Sequence, residues 1–411
     1  MTTLAQHRST LVLLLLSGLI ISICMGLRQS LGLFMRPITL DLGVSAAAFS
    51  FSLALQNIVW GLSQPFVGAA ADRHGARPVL VATSLVYGCG LLLIVYSRGA
   101  VGLNVAGFLT GIGIAGTAFG ILIGVVARAT PPERRSQTVG AVAAAGSLGT
   151  VLLAPVGQVL IDSFGWRTAM VAFAAIAASL ALLSLGIRDQ ARAADAHGPA
   201  TPQPLGEVLG EAAKHRGFVA MTVAYFACGF QLVFITTHLP QYLELCGVAP
   251  SISAKALALI GLCNTIGTYA FGLLGARYSQ KRLLALIYLL RTVFIAAFVL
   301  LPVSAGSTLV FAAAMGLLWL GVAPLVTGLI GRVFGLTHFN TLFGIVFLGH
   351  QVGSFAGAWM GGLVFDLTGG YGVGWGALIT IGAIAFTLQW TMDDRPPPVR
   401  RRIGGVAPVG A

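Results

Sequence analysis

The chain has 411 residues, of which 57% are hydrophobic and only 9% are charged. A soluble domain carries about 25% charged residues, so a soluble globular enzyme and a disordered chain are both excluded. The formal net charge of +12 does not indicate nucleic-acid binding in such a chain, because the cytoplasmic loops of membrane proteins accumulate Lys and Arg.

Twelve apolar runs follow one another along the chain, separated by charged or Pro- and Gly-rich breaks. Each is long enough to cross a bilayer as a helix. The predicted spans 1 to 12 cover residues 11–34, 46–70, 79–97, 101–126, 137–160, 168–187, 217–243, 254–275, 283–303, 308–330, 341–365 and 372–391. The predicted fold class is therefore an all-α membrane protein with 12 transmembrane helices.

A polar stretch divides the spans into two sets of six. The predicted parts are an N-terminal six-helix bundle at 1–187, a cytoplasmic linker at 188–216 with a short helix at Leu205–Lys214, a C-terminal six-helix bundle at 217–392 and a cytoplasmic tail at 393–411. Residues Met1–Arg8 lead into span 1 without an A-x-A cleavage site, so we interpret this region as a retained first span and not as a signal peptide.

The distribution of Lys and Arg predicts the orientation. With the N-terminus in the cytoplasm, 18 of the 24 basic residues fall on the cytoplasmic side, four fall outside, and Arg28 and Arg291 fall within spans. This asymmetry is a strong positive-inside signal. We expect both termini to be cytoplasmic, in the inner membrane of a bacterial-type cell.

The two sets of six spans repeat each other at an offset of 204 residues. The loop Gly68–Arg77 after span 2 corresponds to Gly272–Lys281 after span 8, and the end of span 5 at Gly157–Gly165 corresponds to Gly361–Gly369 at the end of span 11. Two matches at one offset indicate a duplicated six-helix unit, an arrangement that is common in secondary transporters.

The loop after span 2 reads Gly68-x-x-x-Asp72-Arg73-x-Gly75-x-Arg77 and resembles the signature of the major facilitator superfamily, with Ala76 where a second basic residue is usual. The resemblance covers nearly the whole chain and implies two pseudo-symmetric six-helix bundles, with spans 1, 4, 7 and 10 around a central cavity. It also implies a gating role for Asp72, Arg73 and Arg77, and we expect Asp72 to stabilise the outward-open state.

Within the superfamily, the chain resembles the bacterial monocarboxylate-transporter and oxalate/formate-antiporter branch. The resembling stretches are Gly26–Phe34 at the end of span 1, Glu133–Gly149 leading into span 5, and Ile260–Thr268 in span 8. Animal monocarboxylate transporters have an Asp and an Arg in span 8, whereas the matching positions here are Asn264 and Thr268. Proton coupling through a span-8 Asp is therefore not carried over to this chain.

The membrane interior holds two arginines and no carboxylate, which argues against a cation exporter. Arg28 lies eight residues before Arg36, about 12 Å below the outer boundary of the membrane. Two interpretations remain open for Arg28: an anchor for a substrate carboxylate in a water-filled cavity, or a donor to backbone carbonyls near a helix break. For Arg291, packing against a neighbour or snorkelling competes with a functional role.

Further candidates come from polar and aromatic residues within the spans. His350 lies near the middle of span 11 and is a candidate for substrate binding or proton coupling, against a neutral helix contact. Gln231 and His238 lie on one face of span 7, as a substrate-binding and a gating candidate. Asn264 and Trp319 are substrate-binding candidates through the family resemblance, which places Trp319 of span 10 on the cavity wall.

Several classes of protein and site have no supporting motif. The chain has no G-x-x-x-x-G-K-[ST] loop, no metal-ligand spacing, no disulfide pattern and no nucleophile–base arrangement, so we expect neither cofactor nor metal nor enzyme activity. The sequence favours a secondary transporter of small organic anions, in particular monocarboxylates, driven by protons. The alternatives are anion exchange, a carrier of a larger neutral compound such as a drug or vitamin, and a non-transporting sensor.

Overall fold

The structure is a computed structural model that describes residues 2–130, 132–187, 205–334 and 339–395, and these residues are almost entirely helical. Spans 1 to 6 comprise the helices Thr2–Ser30, Leu31–Phe34 (3-10) and Met35–Leu42, then Ala46–His74, Ala76–Tyr96, Ala100–Thr117 with Phe119–Ala129, and Pro132–Leu185. Spans 7 to 12 comprise Arg216–Leu245, Pro250–Arg277, Gln280–Leu300, Ala305–Leu318 with Val322–Phe334, Phe339–Thr368 and Gly372–Thr391. The short predicted helix is present at Leu205–Lys214, between the two sets.

Eleven helical stretches within the described residues are long and apolar enough to cross a membrane. One of them contains both span 5 and span 6, because Gly165 interrupts it with a left-handed conformation (φ 79°). Twelve spans result, as predicted. Span 1 extends beyond the predicted end at residue 34, since its last helix continues until Gly43 (φ 61°) terminates it. Most of the predicted linker (188–204) and of the tail (396–411) lies outside the described residues.

The internal repeat is visible in the backbone as well as in the sequence. Four of the five glycines with positive φ among the described residues form two pairs 204 residues apart: Gly43 with Gly247, and Gly165 with Gly369. Positive φ strains any residue with a Cβ, so both turns require glycine. The duplication that two sequence motifs predicted therefore extends to the turns that join the spans.

Helix packing repeats at the same offset. A Cβ at Gly149 of span 5 would lie 1.7 Å from the carbonyl oxygen of Ser22 in span 1. A Cβ at Gly353 of span 11 would lie 2.0 Å from the carbonyl oxygen of Phe226 in span 7. Small residues at such crossings let the helix backbones touch, which supplies much of the packing between helices in a membrane. Each half thus contains the same tight crossing.

The two halves meet along two seams, where span 2 packs on span 11 and span 5 packs on span 8. We name the ends of the molecule by its chain connections. The linker end is where span 6 finishes at Leu185 and span 7 begins at Arg216, and the far end is where turns such as Gly43 and Gly165 lie. The seams bring the middles of spans 1, 2, 5, 8, 10 and 11 together at the centre.

Candidate functional site

The two halves touch at the far end of the molecule. A Cβ at Gly32 of span 1 would lie 2.1 Å from the carbonyl oxygen of Thr236 in span 7. A Cβ at Gly362 of span 11 would lie 2.0 Å from Oγ of Ser50 in span 2. Helices in such close contact leave no passage between spans 1 and 7 or between spans 2 and 11 at these levels.

At the linker end the two halves separate along both seams. A Cβ added at Gly68 of span 2, Gly140 of span 5, Gly272 of span 8 or Gly344 of span 11 would meet nothing from another helix within 4 Å, among the residues that the structure describes. The centre of the molecule is therefore closed towards the far end, and the seams open towards the linker end.

Polar contacts reinforce the closed far end. The carboxylate of Asp366 in span 11 accepts hydrogen bonds from the backbone N–H groups of Ala46 (3.2 Å) and Ala47 (2.8 Å), at the start of span 2. A carboxylate at a helix N-terminus is stabilised by the helix dipole. Arg36 also forms an ion pair with Glu244 of span 7, beside a depression of about 370 Å³. Both contacts join the two halves.

Arg28 lies at the centre, in the last turn of the first helix of span 1. Its Nη2 donates to Oδ1 of Asn57 (2.5 Å), and its guanidinium lies over the ring of Trp60, 5.0 Å from the ring centroid. Its Nε has no hydrogen-bond partner, and no carboxylate forms an ion pair with it, within the described part of the chain. The side chain is partly exposed although Leu27 and Gln29 on either side are buried.

The surroundings of Arg28 continue into the other half of the molecule. Nε2 of Gln351 in span 11 donates to the backbone oxygen of Asn57 (2.9 Å), and Nδ1 of His350 lies 3.2 Å from Oε1 of Gln351. The His350 ring stacks on Phe347 (centroids 5.9 Å apart), which contacts Trp60 edge-on (5.5 Å). Spans 1, 2 and 11 thus form one polar and aromatic site at the centre.

The sequence predicted two members of this site, Arg28 and His350, and missed Asn57 and Trp60. Asn57 and Trp60 are three residues apart and so lie on one face of span 2. Trp60 is also the position in the repeat that corresponds to Asn264, at the offset of 204. The repeat was therefore a signal that would have identified Trp60 as a candidate.

Asn264 lies at the second seam. Its Nδ2 donates to Oγ of Ser147 in span 5 (2.6 Å), and its Oδ1 accepts from the backbone N–H of Leu320 in span 10 (2.9 Å). Trp319, the residue before, lies buried in the break between the two helices of span 10. The structure thus brings Asn264 and Trp319 together, with Asn264 in contact with both halves.

Gln231 and His238 contact other parts of the C-terminal half. Nε2 of Gln231 donates to the carbonyl of Leu378 in span 12 (3.1 Å). The His238 ring is buried against Phe234 and lies 2.6 Å through Nε2 from the carbonyl of Ala358 in span 11. In this state neither side chain forms a hydrogen bond to the described residues of the N-terminal half, and their binding and gating roles stay predictions.

The loop after span 2 lies at the linker end. Nε of Arg77 donates to the carbonyl of Ile187 (3.2 Å) at the end of span 6, within the same half. Arg73 is exposed, and the side chain of Asp72 lies outside the described residues. The gating role of these three residues stays a prediction.

Comparisons with known proteins identify a family and several relatives of this chain. The family model of the Major Facilitator Superfamily matches residues 14–323. Monocarboxylate transporter 11 of Homo sapiens is 28% identical over 88% of this chain and 79% of its own length, and Monocarboxylate transporter 13 of Rattus norvegicus is 26% identical over 84% and 80%. The probable sulfoacetate transporter SauU of Cupriavidus necator is 27% identical over 62% and 60%.

A solved structure shares the fold. The bacterial homolog to the human lysosomal transporter Spinster, in an inward-facing and unoccupied conformation, matches with a TM-score of 0.78 and 16% identity, over 95% of this chain and 99% of that chain. With the family model matching well over half of its residues, the chain belongs to the Major Facilitator Superfamily.

Proposed function

We propose that this member of the Major Facilitator Superfamily is a secondary active transporter of small organic anions, monocarboxylates in particular, and that Arg28 binds the anion. The observation that carries the proposal is the guanidinium at the centre of the molecule with no carboxylate partner among the described residues. An unpaired arginine at mid-membrane is costly unless it is hydrated or neutralised, and such residues usually mark a substrate pathway.

The surroundings of Arg28 suit a small carboxylate. Asn57 occupies Nη2 and Trp60 covers one face of the guanidinium, which fixes its plane. A guanidinium binds a carboxylate through two parallel N–H groups, so a fixed plane orients the ligand. His350 borders the same site, and Asn264 and Trp319 lie at the neighbouring seam. We propose that these three residues and Gln231 belong to the substrate-binding region.

The shape of the molecule supports alternating access. The far end is closed by helix contacts and by Asp366 and Arg36, whereas the seams are open at the linker end. From the distribution of Lys and Arg we infer that the linker end faces the cytoplasm of a bacterial-type cell, and with that orientation the open seams are those of an inward-open carrier. Rocking of the two halves would then expose Arg28 to the far side.

Proton symport is the coupling that we propose, with anion exchange as the alternative. His350 is a titratable side chain that is connected to the Arg28 site through Gln351 and Asn57. A histidine takes up and releases protons within the physiological range unless its environment prevents it. Uptake into proteoliposomes that is accelerated by an inward proton gradient supports symport, whereas uptake that requires an internal anion supports exchange.

The test of the substrate class compares each acid with its neutral amide. Purified protein is heated with a panel of monocarboxylates and with the corresponding amides, and a ligand that binds the folded state raises the melting temperature. We expect stabilisation by one or more acids and not by their amides. Stabilisation by an amide equal to that by its acid, or by large neutral compounds only, contradicts a carboxylate site at Arg28.

A further inference from the structure

Span 10 is broken in the middle, and the break leaves backbone groups without helical partners. The helix Ala305–Leu318 ends before Trp319, and the next helix begins at Val322. Pro324 lies in the first turn of the second helix and has no N–H to donate to the carbonyl of Leu320, four residues before it, so a continuous helix cannot run through this point. A buried carbonyl or N–H group without a partner is unfavourable, so side chains from elsewhere must satisfy the groups at this break.

Two side chains from neighbouring spans provide the missing partners. Arg291 of span 9 donates from Nε (3.1 Å) and Nη2 (2.6 Å) to the carbonyl of Leu318 and from Nη2 to the carbonyl of Trp319. Asn264 of span 8 accepts from the N–H of Leu320 on the other side of the break. The carbonyls and the N–H group are therefore held from two directions.

The charge of Arg291 fits this position. It is fully buried, and among the described residues it forms no ion pair with a carboxylate. The carbonyl groups at the end of the helix Ala305–Leu318 carry the negative end of the helix dipole, which favours a cation there. A guanidinium has enough donors in one plane to reach two successive carbonyls, which an ammonium group does less well.

Asn264 also extends the contact to the other half, because its Nδ2 donates to Ser147 of span 5. Ser147 and Asn264 lie where the second seam changes from closed to open. A Cβ at Gly261, one turn towards the far end, would lie 2.8 Å from the carbonyl of Ser147, whereas one at Gly272 would meet nothing within 4 Å among the described residues. The break in span 10 is thus connected to the point at which the halves separate.

We propose that Arg291 and Asn264 are positioning residues that clamp the break in span 10, so that its two helices move as one unit when the halves rock. The clamp rests on the alternating access that we propose for this protein, but it does not depend on the substrate. Without it, the two helices of span 10 move independently, and opening at one end is transmitted less well to the other.

Hydrogen exchange measures the clamp without any substrate. In purified Arg291→Met, the amides of residues 316–323 should exchange about tenfold faster than in the native protein, because the bonds to a charged donor are lost. In Arg291→Lys the increase should be smaller. Tyr288→Phe is the matched control, since the Tyr288 hydroxyl lies one turn away, is buried, and has no hydrogen-bond partner among the described residues.

A second measurement separates positioning from a purely structural role. Thr236→Cys, in a chain whose native cysteines are replaced, is buried at the far-end contact and is labelled by a maleimide only when that end opens. Adding Arg291→Met or Asn264→Ala should slow labelling about threefold or more, and adding Tyr288→Phe should not. If Arg291→Met does not fold, Arg291→Lys and Asn264→Ala decide the question.

The outcomes distinguish the inference from the proposed function. Exchange of residues 316–323 within twofold of the native rate in Arg291→Met overturns the clamp. Faster exchange with unchanged labelling of Thr236→Cys leaves a structural cap and overturns the positioning role. Neither result bears on carboxylate binding, which the comparison of acids and amides tests separately.

Discussion

Arg28 and Arg291 are both deep in membrane spans and both lack a carboxylate partner among the described residues, but they differ in exposure and in the groups they bond. Arg291 is fully buried and donates three hydrogen bonds to two backbone carbonyls, although its Nη1 has no hydrogen-bond partner among the described residues. Arg28 is partly exposed, donates one hydrogen bond to Asn57 and has an Nε without a partner among the described residues. The comparison shows that the depth of a charged residue in the membrane does not determine its role. The role depends on which groups of the neighbouring helices contact the residue.

The internal repeat sharpens this contrast. At the offset of 204, Arg28 corresponds to Leu232, and Arg291 corresponds to Tyr87. The hydroxyl of Tyr87 donates to the carbonyl of Cys24 in span 1 (3.3 Å), so positions 87 and 291 both contact backbone of a central span. Position 28 differs, because its repeat partner is apolar. The two halves thus share a structural contact, whereas the charge of Arg28 has no counterpart at the repeat position Leu232.

The largest expected effect concerns Arg28. Arg28→Gln removes the charge and should weaken binding of the acid identified in the thermal-shift panel by about a hundredfold, because a buried carboxylate without its partner typically costs several kcal/mol. Arg28→Lys keeps the charge and should retain intermediate affinity. Calorimetric titration of the acid checks both variants, with the exposed Arg98→Gln as control. Native affinity in Arg28→Gln would make Arg28 structural.

The second prediction compares the stability of the two sites. Arg291→Met leaves two buried carbonyls without donors and should lower the free energy of unfolding by about 2 to 3 kcal/mol. Arg28→Met should stay within about 0.5 kcal/mol of the native protein, because the lost bond to Asn57 is offset by removal of an unpaired ion. Melting curves in detergent measure both. A larger loss for Arg28→Met than for Arg291→Met would reverse the assignment of the two roles.

The third prediction supplies Arg28 with an internal partner. Asn57→Asp places a carboxylate within hydrogen-bond distance of the guanidinium, since Oδ1 of Asn57 already accepts from Nη2. The internal ion pair should compete with the substrate and lower affinity for the acid about tenfold, while thermal stability rises. Asn57→Ser is the control, because it adds no charge. Unchanged affinity in Asn57→Asp would place the anion elsewhere.

Much of the fold could be predicted from the sequence because its signals are local. Apolar runs, the loop charges and the motif at Gly68–Arg77 define twelve spans and a duplicated unit without knowledge of packing. The sequence analysis did not identify the break in span 10, although Gly321 and Pro324 are local signals for it. The side chains that satisfy the break could not be predicted in this way, because Arg291 and Asn264 come from two other spans. The stability of the break depends on tertiary contacts that sequence spacing does not encode.

The candidate site also has members that the sequence predicts and members that it does not. The depth of Arg28 was inferred from its eight-residue separation from Arg36 along span 1, so the sequence identified it. Its neighbours Asn57 and Trp60 come from span 2, and their approach depends on how spans 1 and 2 cross. His238, which was expected to act near a gate, is buried in this state between Phe234 and the carbonyl of Ala358 in span 11, and its gating role stays a prediction.

The smallest expected effect concerns the far end, where the contrast between the halves recurs in two carboxylates 204 residues apart. Asp366 accepts from the first N–H groups of span 2, in the other half, whereas Asp162 accepts from Gln158 of its own helix (2.8 Å). Asp366→Asn keeps the shape and loses the charge that the helix N-terminus stabilises, which is worth about 0.3 to 1 kcal/mol at an exposed site. The far end should open more often, and labelling of Thr236→Cys should become about threefold faster.

Asp162→Asn is the matched control and should leave the labelling rate of Thr236→Cys unchanged. Asp72→Asn at the linker end should act in the opposite direction, because we expect Asp72 to stabilise the state in which the far end is open. It should therefore slow labelling of Thr236→Cys. If Asp366→Asn and Asp162→Asn alter the labelling rate equally, Asp366 does not stabilise the closed far end. Closure then depends on the helix contacts at Gly32 and Gly362.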